Sequence, residues 1–151
     1  MENTLFIIVS YNCLQCLKSC VDSILHYFDS PDILIIDNGS ISEVRQFLQH
    51  NSSIKYIQTG SNLGFGRANN IGMRYALDEG YEYVMLLNQD TIIIDGGIKS
   101  MIRLADQRKE FGILSPIHLA EQGDKLDPSF CKNYLSQILP DWFKDVKTSH
   151  E

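Results

Sequence analysis

The chain has 151 residues, 44% of them hydrophobic and 21% charged, which is the composition of a globular domain with its own hydrophobic core. A formal net charge of −6 argues against nucleic acid as a partner, because contacts to a phosphate backbone need a basic surface. No basic region precedes the first apolar run, and no run is long enough to span a membrane. We therefore expect a cytoplasmic protein, and an association with the inner face of the membrane stays open.

Apolar segments suited to strands alternate with segments of helical periodicity along the first 117 residues. Strands are predicted at 4–9, 32–36, 54–58, 82–87 and 112–117. Helices are predicted at 13–28, 65–79 and 96–109, and a further helix carries Val44, Phe47 and Leu48 after a cap at Ser40 or Ser42. Because the strands are nearly continuous in apolar residues, we expect an α/β fold with a mainly parallel sheet and helices on both of its faces.

The pattern divides the chain into two regions. Residues 1–117 form the α/β domain that carries this sheet. Residues 118–151 contain Gly123, Pro128 and Pro140 and show no clear apolar period. They are therefore predicted to be irregular, with one short helix near 132–139.

The four cysteines are Cys13, Cys16, Cys20 and Cys131. The first three have the spacing C-x2-C-x3-C, which could indicate a metal or iron–sulfur site. On a helix they would share one side with apolar residues such as Leu17. Because small thiols are common in protein cores and no fourth ligand lies nearby in the sequence, core packing is the favoured interpretation.

Polar residues follow four of the predicted strands at the point where each strand ends. They are Ser10-Tyr11-Asn12, Asp37-Asn38-Gly39-Ser40, the segment from Gly60 to Asn70, and Asn88-Gln89-Asp90. In open parallel sheets, ligands bind outside the carboxyl ends of the strands. The four segments are therefore expected to meet at one rim and to form a binding site there.

Asn88 and Asp90 are spaced to serve a divalent cation. Alternate side chains of an extended segment share a face, so both oxygens could reach one Mg²⁺ or Mn²⁺ ion. Such an ion keeps open positions for the oxygens of a diphosphate. The alternative is a turn at the strand end in which Asp90 bonds to the local backbone.

Two other rim segments suit a nucleotide. Asp37 could accept hydrogen bonds from ribose hydroxyls or a base N–H, although capping of the following helix is the alternative. Gly64 and Gly66 open the predicted helix at 65–79, where the helix N-terminus and Arg67 favour phosphate. The segment is not a dinucleotide fingerprint, because Asn69 stands at the third glycine position, and the chain contains no Walker A loop.

Together these segments resemble the family 2 glycosyltransferases with the GT-A fold, in particular bacterial rhamnosyltransferases and cell-surface polysaccharide transferases. The resemblance covers residues 3–117. The matching pieces are Val9 to Asn12, the helix with Leu17 and Ser23-Ile24, Ile36 to Ser40, Asn62 to Gly72, and Leu87 to Asp90.

The resemblance implies a role for each rim residue. Ser10 and Asn12 would line the nucleotide pocket, and Asp37 would contact a uracil or thymine base or the ribose. Arg67 and Asn69 would lie near the base or the diphosphate.

The resemblance also identifies the metal position. Asn88 and Asp90 occupy the family's D-x-D motif, with Asn88 in place of the first aspartate. Asp90 would hold Mg²⁺ or Mn²⁺, and Asn88 would contact the sugar or the ribose.

The implied activity is metal-dependent, inverting transfer of a sugar from a UDP- or dTDP-sugar donor to a saccharide or lipid-linked acceptor in cell-surface polysaccharide synthesis. The family's base lies in a Glu-Asp dipeptide near a Gly-Gly-Phe-Asp segment, and this chain contains neither. Residues 118–151 are therefore expected to be the start of a truncated acceptor-side region, and no catalytic base is assigned. The alternatives are a non-catalytic protein that binds sugar nucleotides and a nucleotidyltransferase. The second would carry a basic, glycine-rich loop directly after the first strand, where Tyr11 to Leu14 stand instead.

Overall fold

The structure is a computed structural model that describes residues 3–39, 44, 46–47, 54–94, 97–120, 123, 125–130 and 132. The described residues fall into two compact units, one within Met1–Gly96 and the other within Gly97–Glu151. The first unit contains the sheet and the rim segments. The boundary predicted after residue 117 stays a prediction.

A parallel sheet forms the centre of the first unit. Its strands are β1 (Thr4–Ser10), β2 (Asp32–Asp37), β3 (Lys55–Gln58) and β4 (Tyr83–Asn88), in the order β3-β2-β1-β4. The two central strands are buried along nearly their whole length, which their runs of β-branched and other apolar residues allow. The parallel α/β fold predicted from the sequence is thus confirmed.

Two helices cover the two faces of this sheet. Helix α1 (Leu14–Tyr27) ends at Phe28, whose ring lies 5.0 Å from that of Phe6 on β1. Helix α2 (Phe65–Asp78) packs on the other face, where its alanines join a core cluster with the strand residues that alternate with Phe6. The cluster comprises Leu5, Ile7, Val9, Leu34, Ile36, Ala68 and Ala76.

Helix α2 lies unusually close to β1 because Gly72 faces the sheet. A Cβ atom at Gly72 would lie 2.6 Å from Cγ2 of Ile7, which is too close for a side chain. The absence of a side chain therefore sets the distance between helix and sheet. This close packing holds the middle of α2 against β1.

The second unit contains helix α3 (Gly97–Gln107), the short helix α4 (Pro128–Phe130) and an antiparallel bridge between Leu119 and Leu126. The prediction of a strand at 112–117 is wrong, since the structure has no strand there. Ile113 is 91% exposed, so the apolar residues of this run are not a buried strand. Pro116 also lacks the N–H that a strand ladder needs.

Some predictions lie outside the described residues. Of the helix predicted to carry Val44, Phe47 and Leu48, the structure describes Val44, Gln46 and Phe47, all helical, whereas the proposed caps and Leu48 fall outside. The helix predicted near 132–139 falls outside except for its first residue. In the part of the chain that is described, no helix is long and apolar enough to cross a membrane.

Candidate functional site

The strand ends meet at one edge of the sheet, as the sequence predicted. Ser10 is in register with Asp37, and Asp37 is in register with Gln58 on the next strand. On the other side of β1, Val9 is in register with Asn88. The ends of all four strands therefore form a continuous rim that includes three of the predicted site residues.

Gln89 holds two parts of this rim together. Its side-chain oxygen accepts from the backbone N–H of Tyr11 at 2.9 Å and from the hydroxyl of Ser10 at 3.2 Å, and its amide nitrogen donates to the carbonyl of Tyr11 at 2.9 Å. The connection between β1 and α1 is thereby attached to the turn after β4. Asn12 follows at a left-handed φ of 54° with its side chain exposed beside this attachment.

Gln89 is not among the site residues predicted from the sequence. The available signal was strand alternation, which turns the residue after Asn88 toward the opposite face from its neighbours. A long amide side chain at that place can reach the end of the adjacent strand. Its partners lie 78 and 79 residues away in the chain, so local patterns could not identify them.

Asp37 lies at the end of β2 and is 3% exposed. Its carboxylate accepts from the side-chain amide of Gln58 at 3.1 Å. Its backbone carbonyl accepts from the N–H and the hydroxyl of Thr59 at 3.0 and 3.1 Å. The carboxylate is thus oriented by its neighbouring strand, and its contact with a base or a ribose stays a prediction.

Asn38 attaches the glycine-rich loop to the end of β2. Its side-chain nitrogen donates to the side-chain oxygen of Asn62 at 3.0 Å, and its side-chain oxygen accepts from the N–H of Leu63 at 2.9 Å. The same oxygen of Asn62 accepts from the N–H of Gly64 at 2.9 Å. Asn38 is 3% exposed, so the β2 end of this polar tether between two rim segments is buried.

The backbone at Gly39 passes close to the same loop. Gly39 has a φ of 88°, and a Cβ atom there would lie 2.7 Å from the carbonyl carbon of Ser61. Only a residue without a side chain fits both the backbone conformation and the space. Gly39 therefore permits the contact that the Asn38 tether holds.

The N-terminus of α2 is open at the rim. Its N-cap is Gly64, with a φ of 83° and no side chain to bond to the first N–H groups of the helix. Arg67 is exposed in the first turn. Unsatisfied N–H groups at a helix start together with a guanidinium suit a phosphate ligand.

Asn69 lies on the buried side of α2, whereas Arg67 lies on its exposed side. It is 4% exposed, and its side-chain nitrogen donates to the carbonyl of Phe65 at 3.2 Å. Its side-chain oxygen is buried without a hydrogen-bond partner among the described residues. Its predicted contact with a ligand stays a prediction.

The side chains of Asn88 and Asp90 are exposed at the end of β4. The carbonyl of Asn88 accepts from the N–H of Thr91 at 3.1 Å and from the thiol of Cys20 at 3.7 Å. Burial, and to a lesser extent the negative charge of Asp90, raise the pKa of Cys20 to about 12. The described residues contain no group of three His, Cys, Asp or Glu side chains that could hold a metal ion.

The cysteines differ from the prediction. Helix α1 begins at Leu14, so Cys13 is its N-cap, with φ −129° and ψ 86°, and forms a disulfide with Cys16. Core packing is therefore wrong for Cys13 and Cys16, whose spacing across the helix start favours a disulfide. It is correct for Cys20, which is 1% exposed and has a free thiol. Cys131 lies outside the described residues.

Several known proteins are similar to this chain. It is 32% identical over 130 residues to the low-salt glycan biosynthesis hexosyltransferase Agl10 of Haloferax volcanii, a match that covers 85% of this chain and 41% of the relative. It is 30% identical over 69 residues to the dTDP-rhamnosyl transferase RfbF of Shigella flexneri, covering 46% of this chain and 23% of the relative. The chain thus spans less than half the length of either relative.

The fold is also similar to a solved structure. A crystal structure of TarS from S. aureus superposes with a TM-score of 0.58 and 19% identity, over 72% of this chain and 33% of that one. This likeness confirms the predicted GT-A type of α/β fold. The family model described as "Glycosyl transferase family 2" matches residues 5–130. The chain therefore belongs to glycosyltransferase family 2.

Proposed function

We propose that the rim binds a UDP- or dTDP-sugar and that the chain forms the donor side of an inverting, metal-dependent glycosyltransferase. The observation that carries this proposal is the convergence of Ser10, Asp37 and Asn88 in adjacent register, with the open N-terminus of α2 tethered beside them. Membership of the family supplies the reaction class. The similarity to Agl10, a hexosyltransferase of glycan biosynthesis, and to RfbF, a dTDP-rhamnosyl transferase, supports a sugar donor and a role in glycan synthesis.

The chemistry of the rim suits the parts of such a donor. The Asp37 carboxylate would accept from a base N–H or from ribose hydroxyls. The exposed side chain of Asn12 would form the adjoining wall. Ser10, which is 0% exposed and donates its hydroxyl to Gln89, would support that wall from the end of β1. The N–H groups at the start of α2, with Arg67, would bind the diphosphate. Asn88 would contact the sugar or the ribose. In this arrangement Asn69 supports the helix start from below.

The donor set at the end of β4 fits a hard cation. Asp90 offers an exposed carboxylate, and Mg²⁺ in such sites is commonly held by one or two carboxylates together with oxygens of the substrate phosphates. When bound, Mg²⁺ or Mn²⁺ would neutralise charge on the departing diphosphate. Asp90 is therefore the proposed protein ligand.

The proposed transfer is a single displacement. The acceptor hydroxyl loses its proton to a base, and its oxygen attacks the anomeric carbon from the side opposite the diphosphate. The bond from that carbon to the diphosphate oxygen breaks, and the nucleoside diphosphate leaves with the electron pair. The proposed acceptor is a saccharide or a lipid-linked saccharide, presented to a cytoplasmic enzyme at the inner face of the membrane.

Thermal unfolding with added ligands tests the donor site. UDP, dTDP, ADP and GDP are compared at equal concentration, with and without Mn²⁺. UDP or dTDP should raise the melting temperature, because a ligand at a hundred times its Kd stabilises the folded state by about 2.7 kcal/mol. An unchanged melting temperature with all four nucleotides would rule out the proposal.

Substitution of Asp90 tests the metal ligand. Asp90→Asn should abolish the part of the UDP-induced stabilisation that depends on Mn²⁺ and should keep the part that does not. Asp78→Asn is the matched control, since Asp78 is an exposed carboxylate at the far end of α2. A Mn²⁺ response that survives in Asp90→Asn would assign the metal to another ligand.

A further inference from the structure

The disulfide between Cys13 and Cys16 occupies a distinctive place. A C-x-x-C segment here directly follows the first strand of a parallel α/β sheet and begins helix α1. The N–H of Cys16 also lies 3.3 Å from the sulfur of Cys13, across the first turn of the helix. In intracellular α/β proteins this motif at this place is typical of a redox-active pair and not of a structural crosslink.

The three cysteines of this region differ in accessibility. Cys13 and Cys16 are each partly exposed residues, so they lie at a surface that an exchange partner can approach. Cys20 lies on the buried side of α1, and its raised pKa keeps it a neutral thiol. Thiolates at a helix N-terminus are stabilised by the helix dipole, which makes a reduced Cys13–Cys16 pair reactive. The exchange chemistry is therefore confined to the exposed pair.

The disulfide lies where the connection after β1 passes into helix α1, and both the connection and the helix contact residues 88–94. On one side, Cys13 follows Tyr11 and Asn12, whose backbone segment is attached to Gln89. On the other side, helix α1 contacts the segment after β4 farther along its length. The thiol of Cys20 donates to the carbonyl of Asn88 at 3.7 Å, and the hydroxyl of Ser23 accepts from the N–H of Ile93 at 3.1 Å.

We propose that Cys13 and Cys16 form a thiol–disulfide exchange site, reduced by a dithiol, whose oxidation state sets the order of the rim at residues 10–14 and 88–94. The disulfide restricts the backbone where β1 passes into α1. In the reduced protein that restriction is absent, and residues 10–14 and 88–94 become less ordered. The consequence for nucleotide affinity rests on the proposed function, whereas the exchange and the change in order do not.

The exchange step is balanced. A thiolate of the reductant attacks one sulfur, the S–S bond breaks, and the other cysteine leaves as a thiolate that takes up a proton. The second thiol of the reductant then attacks the mixed disulfide and releases the first cysteine. The protein disulfide gains two electrons and two protons, and the dithiol loses the same number as it becomes a disulfide.

The first experiment measures the exchange itself. The protein carrying Cys131→Ser is equilibrated in buffers of graded reduced and oxidised glutathione, alkylated, and mapped by mass spectrometry. Cys13 and Cys16 should become alkylated together in one transition within the glutathione range. The matched variant Cys20→Ser should keep this transition. Alkylation of both residues at every ratio, or of neither, would overturn the proposal.

The second experiment measures order at the rim. Hydrogen exchange is followed in peptides covering 10–14 and 88–94, in the oxidised and the dithiothreitol-reduced protein. Exchange in both peptides should be about three- to tenfold faster after reduction. The double variant Cys13→Ser/Cys16→Ser should exchange at the reduced rate in both conditions. Equal exchange at 88–94 in the two states would contradict the coupling.

The third measurement adds the nucleotide. UDP should bind the oxidised protein about three- to tenfold more tightly, because a pre-ordered rim loses less conformational freedom on binding. The double serine variant should lose this difference. If UDP binds neither state while the two earlier results hold, the proposed function fails and the exchange site stands. A UDP affinity that is equal in both states overturns the functional coupling.

Discussion

At the scale of single residues, the rim depends on the side chain of Gln89, which forms hydrogen bonds that backbone groups form elsewhere in the sheet. β1 and β4 are in register up to Val9 and Asn88. Beyond that point the carboxamide of Gln89 forms hydrogen bonds with the backbone N–H and the backbone carbonyl of Tyr11. The pairing of the two strands is in effect extended by one side chain. This keeps the connection to α1 beside Asn88, where a donor sugar is proposed to bind.

Removal of this side chain should loosen the rim. Gln89→Ala removes the hydrogen bonds to the backbone N–H and carbonyl of Tyr11, which water can partly replace because both bonds are exposed. Such a loss costs about 0.5–1.5 kcal/mol of the free energy of unfolding. The affinity for UDP should fall about three- to tenfold, because the connection must then be ordered on binding. Urea unfolding and calorimetry measure the two effects. Gln107→Ala, at an exposed helix end, should change neither; equal effects in the two variants would dismiss the role of Gln89.

The buried thiol of Cys20 makes stability depend on alkaline pH. Its pKa rises from an ordinary 9.0 to about 12, chiefly through burial, so the folded chain holds this proton more tightly than the unfolded chain. The contribution to stability is complete below pH 9 and is lost as the pH rises toward 12. Urea unfolding at a series of pH values should show a steeper decline for the wild type than for Cys20→Ala. Parallel declines would mean that another group is responsible.

Sequence patterns located single residues where their role follows from local position. Ser10, Asp37 and Asn88 were predicted at the rim because each ends an apolar strand. Gln89 and Asn38 were not assigned their contacts, since these depend on how distant segments meet in three dimensions. The disulfide was missed for a local reason, because a helix start one residue later than predicted frees Cys13 from the helix.

At the scale of elements, two glycines of α2 occupy opposite environments. A Cβ atom at Gly72 would lie 2.6 Å from Ile7, whereas one at Gly66 would meet nothing within 4 Å. The first glycine is therefore needed for packing, and the second contributes only backbone freedom. The pair separates the effect of helix propensity from that of close packing.

The two alanine variants should change stability in opposite directions. Gly72→Ala should lower the free energy of unfolding by about 1–3 kcal/mol, because the added methyl group overpacks the contact with β1. Gly66→Ala should raise it by up to about 1 kcal/mol through better helix propensity. Denaturant unfolding of both variants checks the signs. Stabilisation by Gly72→Ala would show that the helix can move away from the sheet without cost.

Elements were predicted well where composition and length agreed. The apolar runs of β1 and β2 are typical of central strands, and the spacing of apolar residues in α1 and α2 is typical of amphipathic helices. The run at 112–117 has the same apolar character but no strand. Apolar character alone does not show whether a neighbouring strand is available for pairing, and that is decided by tertiary structure.

At the scale of the whole molecule, the centre and the edges of the sheet differ sharply. β1 and β2 are buried along nearly their whole length, while the edge strands β3 and β4 have mainly exposed or half-buried side chains. Residues 112–117 of the second unit have no strand pairing. Protection of backbone amides should follow this order.

Hydrogen exchange of the native protein tests this gradient. Amides of β1 should exchange most slowly, at rates that approach those of global unfolding, since opening them requires the core to separate. Amides at 112–117 should exchange fastest, and those of β3 should fall between. Mass spectrometry over minutes to days gives the comparison within one sample. Faster exchange in β1 than in β3 would contradict the description of the core.

The tether between Asn38 and Asn62, with Gly39 beneath the loop, has a consequence for protein engineering. The two segments are joined by hydrogen bonds across 24 and 25 positions of the chain. A glycine-rich loop transferred from a relative would lose its hydrogen bonds to the end of β2 unless that strand end were transferred with it. Over evolutionary time the same dependence should make substitutions at these positions covary. An exchange of these rim segments between relatives should therefore move both of them as one module.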